Sequence, residues 1–379
     1  MAAHNSPTSL AAPLAWVYAA VVVYASGYPF DGWRWPPGHS AAALLALPWP
    51  PWRDPFDLWA NLLGYVPLGL FSMVALMRAH RSAWAAAALT VAGCAGLSYL
   101  TEVVQNLLPG RHPSLKDLAM NTAGACAGVA AAATLELSGT LRRWRAMRAG
   151  WFVPRSGGAL ALLALWPVAL LVPAPMPLSL GQVGERLRDL LLAILDGVNW
   201  AAPWHAALQA SADAAVAQSL VSAARPPGDE VLVTGLGLLA PCMLAYSVSR
   251  PGWHRVGLSF GAAGLAFGAM TLSALLNYGP RHALAWMTPV SVPALAAAAM
   301  VSVALARAPR RLAAGVGLLA LAGGVALAAS GPADPFFAAN LQSWEQGRFV
   351  HFHGMVQWIA WFWPYLAMLW LLGVLAGRD

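Results

Sequence analysis

Glu102 is the residue whose chemistry is hardest to place. It lies in the apolar run Ala83–Leu108, with Gln105 three residues on and on the same side of a helix. An ionised acid at bilayer depth costs about 2.5–3.5 kcal/mol on insertion scales, so a chain keeps one only where it faces protein or water. Arg111, Ser114, Asp117 and Asn121 follow, and Asn61 stands on an earlier run. In a catalytic reading Glu102 or Asp117 is a general base and Arg111 holds a phosphate or carboxylate. In a binding reading Asn61, Gln105, Arg111 and Asn121 grip a ligand. Each residue also has a structural reading. Ser114-x-x-Asp117 spells a capping box, Asn61 and Asn121 suit hydrogen bonding between helices, and Glu102 with Arg111 suits a buried clamp.

Three helices must position these groups. Taking Leu108, Asp117 and Phe56 as helix ends puts Glu102 about 9 Å, Asn121 about 6 Å and Asn61 about 7 Å inside the same rim, at 1.5 Å per residue. Ser98, Glu102 and Gln105 share one face of the middle helix. Asp117, Asn121, Gly124 and Gly128 share one face of the next. The two glycines form a small-xxx-small seam that lets a neighbouring backbone come close.

Composition fixes the setting. Hydrophobic residues are 59% of 379 and charged residues 10%, with mean hydropathy +0.60. A soluble domain carries about 25% charged residues, so this chain reads as an all-α polytopic membrane bundle. About ten apolar runs are long enough to be spans: Leu10–Ser26, Phe56–Met77, Ala83–Leu108, Leu118–Leu137, Gly158–Val172, Val231–Ser247, Val256–Leu276, Pro289–Ala306, Leu312–Ser330 and Met355–Gly377. With a cytoplasmic N-terminus, thirteen of the 22 Lys and Arg residues fall in short cytoplasmic links, Arg250 and Arg255 among them. That pattern gives a multi-pass protein of the inner (cytoplasmic) membrane. The net charge of +7 does not imply nucleic acid, because the basic residues form no continuous stripe. Cys94, Cys126 and Cys242 match no metal or haem spacing and read as small buried hydrophobes. No cofactor is implied. The N-terminus lacks the basic stretch and cleavage site of a signal peptide, so the first run reads as a retained span.

The long links are the external ones. Tyr28–Pro55 is rich in Trp and Pro and suits a plug at headgroup level. Pro173–Asp229 is too long for a plain loop. Within it Val183, Leu187, Leu190, Leu191, Ile194 and Val198 share a helical face, and a second helix is expected over Ala206–Ala224. Together they predict an amphipathic hairpin, a packing element or a lid lying on the membrane surface. The chain then divides into a four-helix domain (1–140), a basic linker (141–157) and a six-helix domain (158–379) with the external segment 173–229. In that last domain His351 and His353 lack an evident third metal ligand, and Glu345, Arg348 and His351 fit an interfacial polar face. Asp334-Pro335-Phe336 with Asn340 faintly echoes Asp54-Pro55-Phe56 with Asn61.

The ordered set Asn61-x-x-Gly64-x-x-Pro67-x-Gly69, Glu102-x-x-Gln105 and Pro109-x-Arg111-x-x-Ser114-x-x-Asp117-x-x-x-Asn121-x-x-Gly124-x-x-x-Gly128 resembles the VanZ-like family over about Leu10–Leu137. The resemblance implies a multi-pass membrane protein with Asn61, Glu102, Gln105, Arg111, Asp117 and Asn121 as characteristic polar positions. It also implies a possible link to teicoplanin-type glycopeptide resistance, but no established reaction. Three functions compete. One is binding of a membrane lipid or lipid-linked envelope precursor at the external side. The second is an enzyme acting on such a substrate. The third is a transporter, disfavoured because the polar groups cluster on one side and no inverted repeat is visible.

Overall fold

A computed structural model describes residues 11–377 except 29, 31, 52–54, 110, 175, 222–226 and 331–349. Apart from one isolated bridge between Phe152 and Ser249, the described residues form only helices and connecting turns. Among the described residues seven helices contain stretches long and apolar enough to cross a membrane: α3 (Pro55–Arg78), α4 (Ala83–Gln105), α5 (Leu115–Leu137), α10 (Pro227–Val248), α11 (His254–Tyr278), α13 (Arg310–Ser330) and α14 (Val350–Ala376). Three more apolar runs are helical but shorter: α1 (Ala11–Gly27), α7 (Gly157–Ala169) and α12 (Ser291–Ala304). The other α-helices among the described residues are α2 (Ala41–Leu45), α6 (Thr140–Trp151), α8 (Gly184–Leu195) and α9 (Ala202–Val221). The protein is thus a polytopic helical bundle. It divides into two compact units, Met1–Arg148 and Ala149–Asp379.

The N-terminal unit is built on α3 and α5, which pack along a glycine seam. A Cβ added at Gly124 would strike the Leu62 carbonyl and the Tyr65 side chain. One at Gly128 would strike the Val66 carbonyl and the backbone of Gly69, and one at Gly69 would strike Ala125. Only glycine lets the two backbones approach this closely. α4 and α1 complete the unit, with Tyr65, Leu68, Cys94 and Ala125 buried between them. Cys126 is exposed on α5, so one of the three cysteines is not the buried hydrophobe expected. The two ends of the unit differ. Arg78, Arg81, Arg142, Arg143, Arg145 and Arg148 gather at one end, where Arg145 pairs with Glu136 at 3.8 Å. The other end is roofed by the Trp- and Pro-rich segment.

In the C-terminal unit α10 is the central helix. Two thirds of its spanning stretch (67%) is buried, against 28–33% for α11, α13 and α14. α7, α11, α12, α13 and α14 surround it. Arg255, counted from sequence as a cytoplasmic loop charge, is fully buried in the first turn of α11. Its five N–H groups reach the carbonyls of Tyr246, Ser249, Ala306 and Ala308 and the Ser249 hydroxyl. It therefore closes the C-terminal ends of α10 and α12, whose last carbonyls have no partner within their own helices. Tyr246 stacks on the guanidinium and joins Ser259, which Ser302 reaches in turn.

The external loop expected from Pro173 does not begin there. α7 has only 13 residues, and the chain then runs back into the bundle without helix. Met176, Leu178, Ser179, Leu180 and Gly181 are buried in this stretch. Non-helical backbone survives at membrane depth only where protein satisfies it, and here protein does. Thr234 donates to the Pro177 carbonyl, Tyr365 to the Gly181 carbonyl, and the Gly181 N–H goes to Ala360. The Ala360 carbonyl is open because Pro364, four residues on, has no N–H to give it. The Asp334–Asn340 echo and the polar face of Glu345 and Arg348 lie outside the described residues, as do the side chains of His351 and His353.

Candidate functional site

α4 ends at Gln105, three residues before the end expected at Leu108, so Glu102 sits in its last turn. An acid there faces its own helix's negative pole. The neighbouring helix compensates. Glu102 is 4% exposed, and its Oε2 accepts the backbone N–H of Ser114 at 2.8 Å. Ser114 is the N-cap of α5, its hydroxyl accepting from the N–H groups of Lys116 and Asp117. In a capping box the residue at Asp117 would reach back to the Ser114 N–H. Here that N–H is donated to a carboxylate from another helix. A hydrogen bond to a charged group contributes about 1.5–3 kcal/mol, so Glu102 ties the end of α4 to the start of α5.

Gln105 and Arg111 serve the opposite pole of α1. Gln105 donates to the Ser26 carbonyl at 3.1 Å, and Arg111 Nη2 donates to the carbonyls of Ala25 (3.0 Å) and Tyr28 (2.9 Å). A cation at a helix C-terminus is favourable by about 0.3–1 kcal/mol, and up to about 2 when partly buried. Burial lowers the Arg111 pKa from its usual range, while the charges of Glu102 and Asp57 push it back up. The guanidinium stays protonated.

Beneath these helix ends lies a buried polar row. Asn121 Nδ2 donates to Ser98 Oγ at 2.9 Å, joining α5 to α4. Tyr65 projects from α3 against Gly124, and Ser98 and Thr101 flank its hydroxyl without meeting hydrogen-bond geometry. The Tyr65 hydroxyl and Asn121 Oδ1 are both buried and have no hydrogen-bond partner among the described residues. Asn61 stands one turn before Tyr65, half-buried. Asp117 is buried one turn before Asn121. Glu102, Gln105, Arg111, Asp117 and Asn121 are therefore gathered at one end of the unit, with Asn61 on the adjoining face of α3. Sequence reasoning passed over Tyr65. Its position four residues after Asn61 and four before Gly69 was the available signal.

The Trp-rich segment folds across this end as a strap. Arg34 N–H bonds the Leu107 carbonyl, Tyr99 the Leu45 carbonyl, Asn106 the Leu44 carbonyl, and Leu115 N–H the Pro48 carbonyl. Its indoles point outward: Trp33, Trp35 and Trp49 are exposed, as is Trp59 at the start of α3. Lys116 lies over the Trp49 ring, 5.8 Å from its centroid. Exposed Trp84 and Trp144 mark the arginine-rich end. Two aromatic girdles on one apolar body are what two membrane–water boundaries select.

Residues 13–136 match the VanZ/LLP1 family. The match covers the N-terminal third of the chain and includes every polar side chain of the strap end described above. No curated protein and no solved structure matches the chain. The matched region thus coincides with the α1–α5 bundle, and α6 and the helices after it lie outside it.

Proposed function

We propose that the VanZ/LLP1 unit binds a membrane lipid or a lipid-linked envelope component at the outer face of the cell membrane. The N-terminus is then cytoplasmic. The arginine-rich end supports that orientation, since short links rich in Lys and Arg stay inside. The observation that carries the binding reading is the Tyr65–Ser98–Asn121 row under the strap. Leaving a buried polar atom unmade costs about 1–3 kcal/mol, and this row holds two such atoms beside an amphipathic roof. Exposed indoles, Lys116 and Arg111 suit a molecule with an apolar body and a polar head. The enzymatic reading loses support, because one Glu102 oxygen is already committed to the Ser114 backbone.

Native mass spectrometry of the full protein, extracted in mild detergent, tests this. The expected result is a co-purifying lipid or isoprenoid whose occupancy falls at least several-fold in Tyr65→Phe and Asn121→Ala, with both variants folded. Wild-type protein that carries no lipid above the detergent background, even after incubation with envelope lipid extract, overturns the reading. The family resemblance makes susceptibility of a deletion strain to teicoplanin-type glycopeptides the matching cellular measurement.

A further inference from the structure

α8 carries a row of large apolar side chains that its own unit leaves open. Leu187, Leu190, Leu191 and Ile194 are exposed, Leu190 by 55% and Ile194 by 60%, and Trp200 and Trp204 just beyond are exposed too. With 12 residues α8 is about 18 Å long, too short to cross a hydrocarbon core of about 30 Å. Its depth follows from the segment before it. Gly181 bonds Ala360 and packs against Val325 and Pro364. Ala360 lies five residues inside the apolar run Met355–Gly377, and Val325 five residues inside the end of the run Leu312–Ser330. Gly181 is therefore about 6–8 Å within the apolar zone. α8 starts at Gly184, and three residue steps reach at most about 10 Å. The helix therefore begins within reach of the edge of that zone, and the first turns of α10 lie at the same end, where Val233 packs in one cluster with Met176 and Ala328.

From this depth we infer that α8 and the Trp200–Trp204 turn lie in the plane of the bilayer surface, with the leucine face seated in the headgroup–acyl boundary. The occupant of the face is lipid, continuous with the lipid around the outer helices α11, α13 and α14. Charge does not select that lipid. Glu185, Arg186, Arg188 and Asp189 balance, and Asp196 and Asp213 leave the hairpin net acidic. An in-plane helix of this composition is held by buried apolar area rather than by attraction to anionic headgroups. This is independent of the binding reading of the N-terminal unit.

Spin labels on the full chain in phosphatidylcholine vesicles test it, using Leu190→Cys, Ile194→Cys and Asp196→Cys with Cys126→Ala to remove the exposed native thiol. Labels at Leu190 and Ile194 should collide several-fold more with oxygen than with a water-soluble nickel chelate, and the label at Asp196 should show the reverse. Adding phosphatidylglycerol should leave the ratios unchanged. A Leu190 label that favours the nickel chelate places the face in water and overturns the inference. So does a label shielded from both probes, which means that protein covers the face. Insertion that appears only with phosphatidylglycerol overturns the charge-independent part. Should a leucine variant misfold, quenching of Trp200 and Trp204 by brominated phosphatidylcholine, read against Trp200→Phe/Trp204→Phe, gives the same decision.

Discussion

Arg111 in the N-terminal unit and Arg255 in the C-terminal unit perform the same task with different completeness. Each brings a guanidinium to helix carbonyls that lack partners. Arg255 is fully buried and spends five donors on five acceptors, inside a network that continues through Tyr246, Ser259 and Ser302. Arg111 is half-buried beneath a strap, above a row in which Tyr65 and Asn121 keep unmade bonds. A closed network holds helices in one arrangement. An open one keeps polar capacity for something else. The presence of a buried charge therefore says little about function. What distinguishes the two networks is whether their own members have used their polar atoms: Arg255, Tyr246, Ser259 and Ser302 have, while Tyr65 and Asn121 have not.

Removing Arg255 breaks this comparison most sharply. Arg255→Ala leaves five acceptors without this donor, most of them buried, and at about 1–3 kcal/mol for each buried polar group left unsatisfied it should be the most destabilising of these changes. The variant should unfold in detergent well below the wild type or fail to accumulate. Arg255→Lys should recover little, since three mobile donors cannot replace a planar fork of five. A Lys variant as stable as wild type would show that the charge matters and the geometry does not.

Glu102 tests the clamp between α4 and α5. Glu102→Ala frees the buried Ser114 N–H and should cost about 1–3 kcal/mol. Glu102→Gln keeps an oxygen in place and should cost clearly less. Thermal unfolding of the two variants, followed by fluorescence-detected gel filtration, separates a cap from a reactive acid: equal damage in both would mean that the negative charge itself is required.

The smallest expected effect is the most informative about the open row. Tyr65→Phe removes a hydroxyl that makes no bond, so stability should stay within about 0.5 kcal/mol of wild type or rise. Marked destabilisation would mean that the hydroxyl is already used within the protein, and the contrast with the Arg255 network would disappear.

Much of the architecture could be read from residues alone. Each of the ten apolar runs is helical, because unbroken apolar segments in lipid must satisfy their own backbone. Seven reach spanning length among the described residues. Glycines spaced four apart marked the face where α5 meets α3. The site was legible only in part. Gln105 and Arg111 were chosen for their chemistry, yet the carbonyls they serve belong to α1, some 80 residues earlier in the chain (|i−j| of 79 to 86). No local pattern encodes such a pairing. The buried return after α7 was missed for a similar reason. Its polar backbone is satisfied by Thr234, Ala360 and Tyr365, which only packing brings near.

The sequence by itself determined that the chain is helical and lipid-embedded, and which polar residues stand out against that background, since both follow from hydropathy and the cost of burying charge. Tertiary structure alone decided what those residues hold. Glu102 serves the start of α5, Arg111 the end of α1, and Arg255 the ends of α10 and α12. A hydrogen bond is a matter of distance and direction between atoms, and those are fixed only when the helices pack.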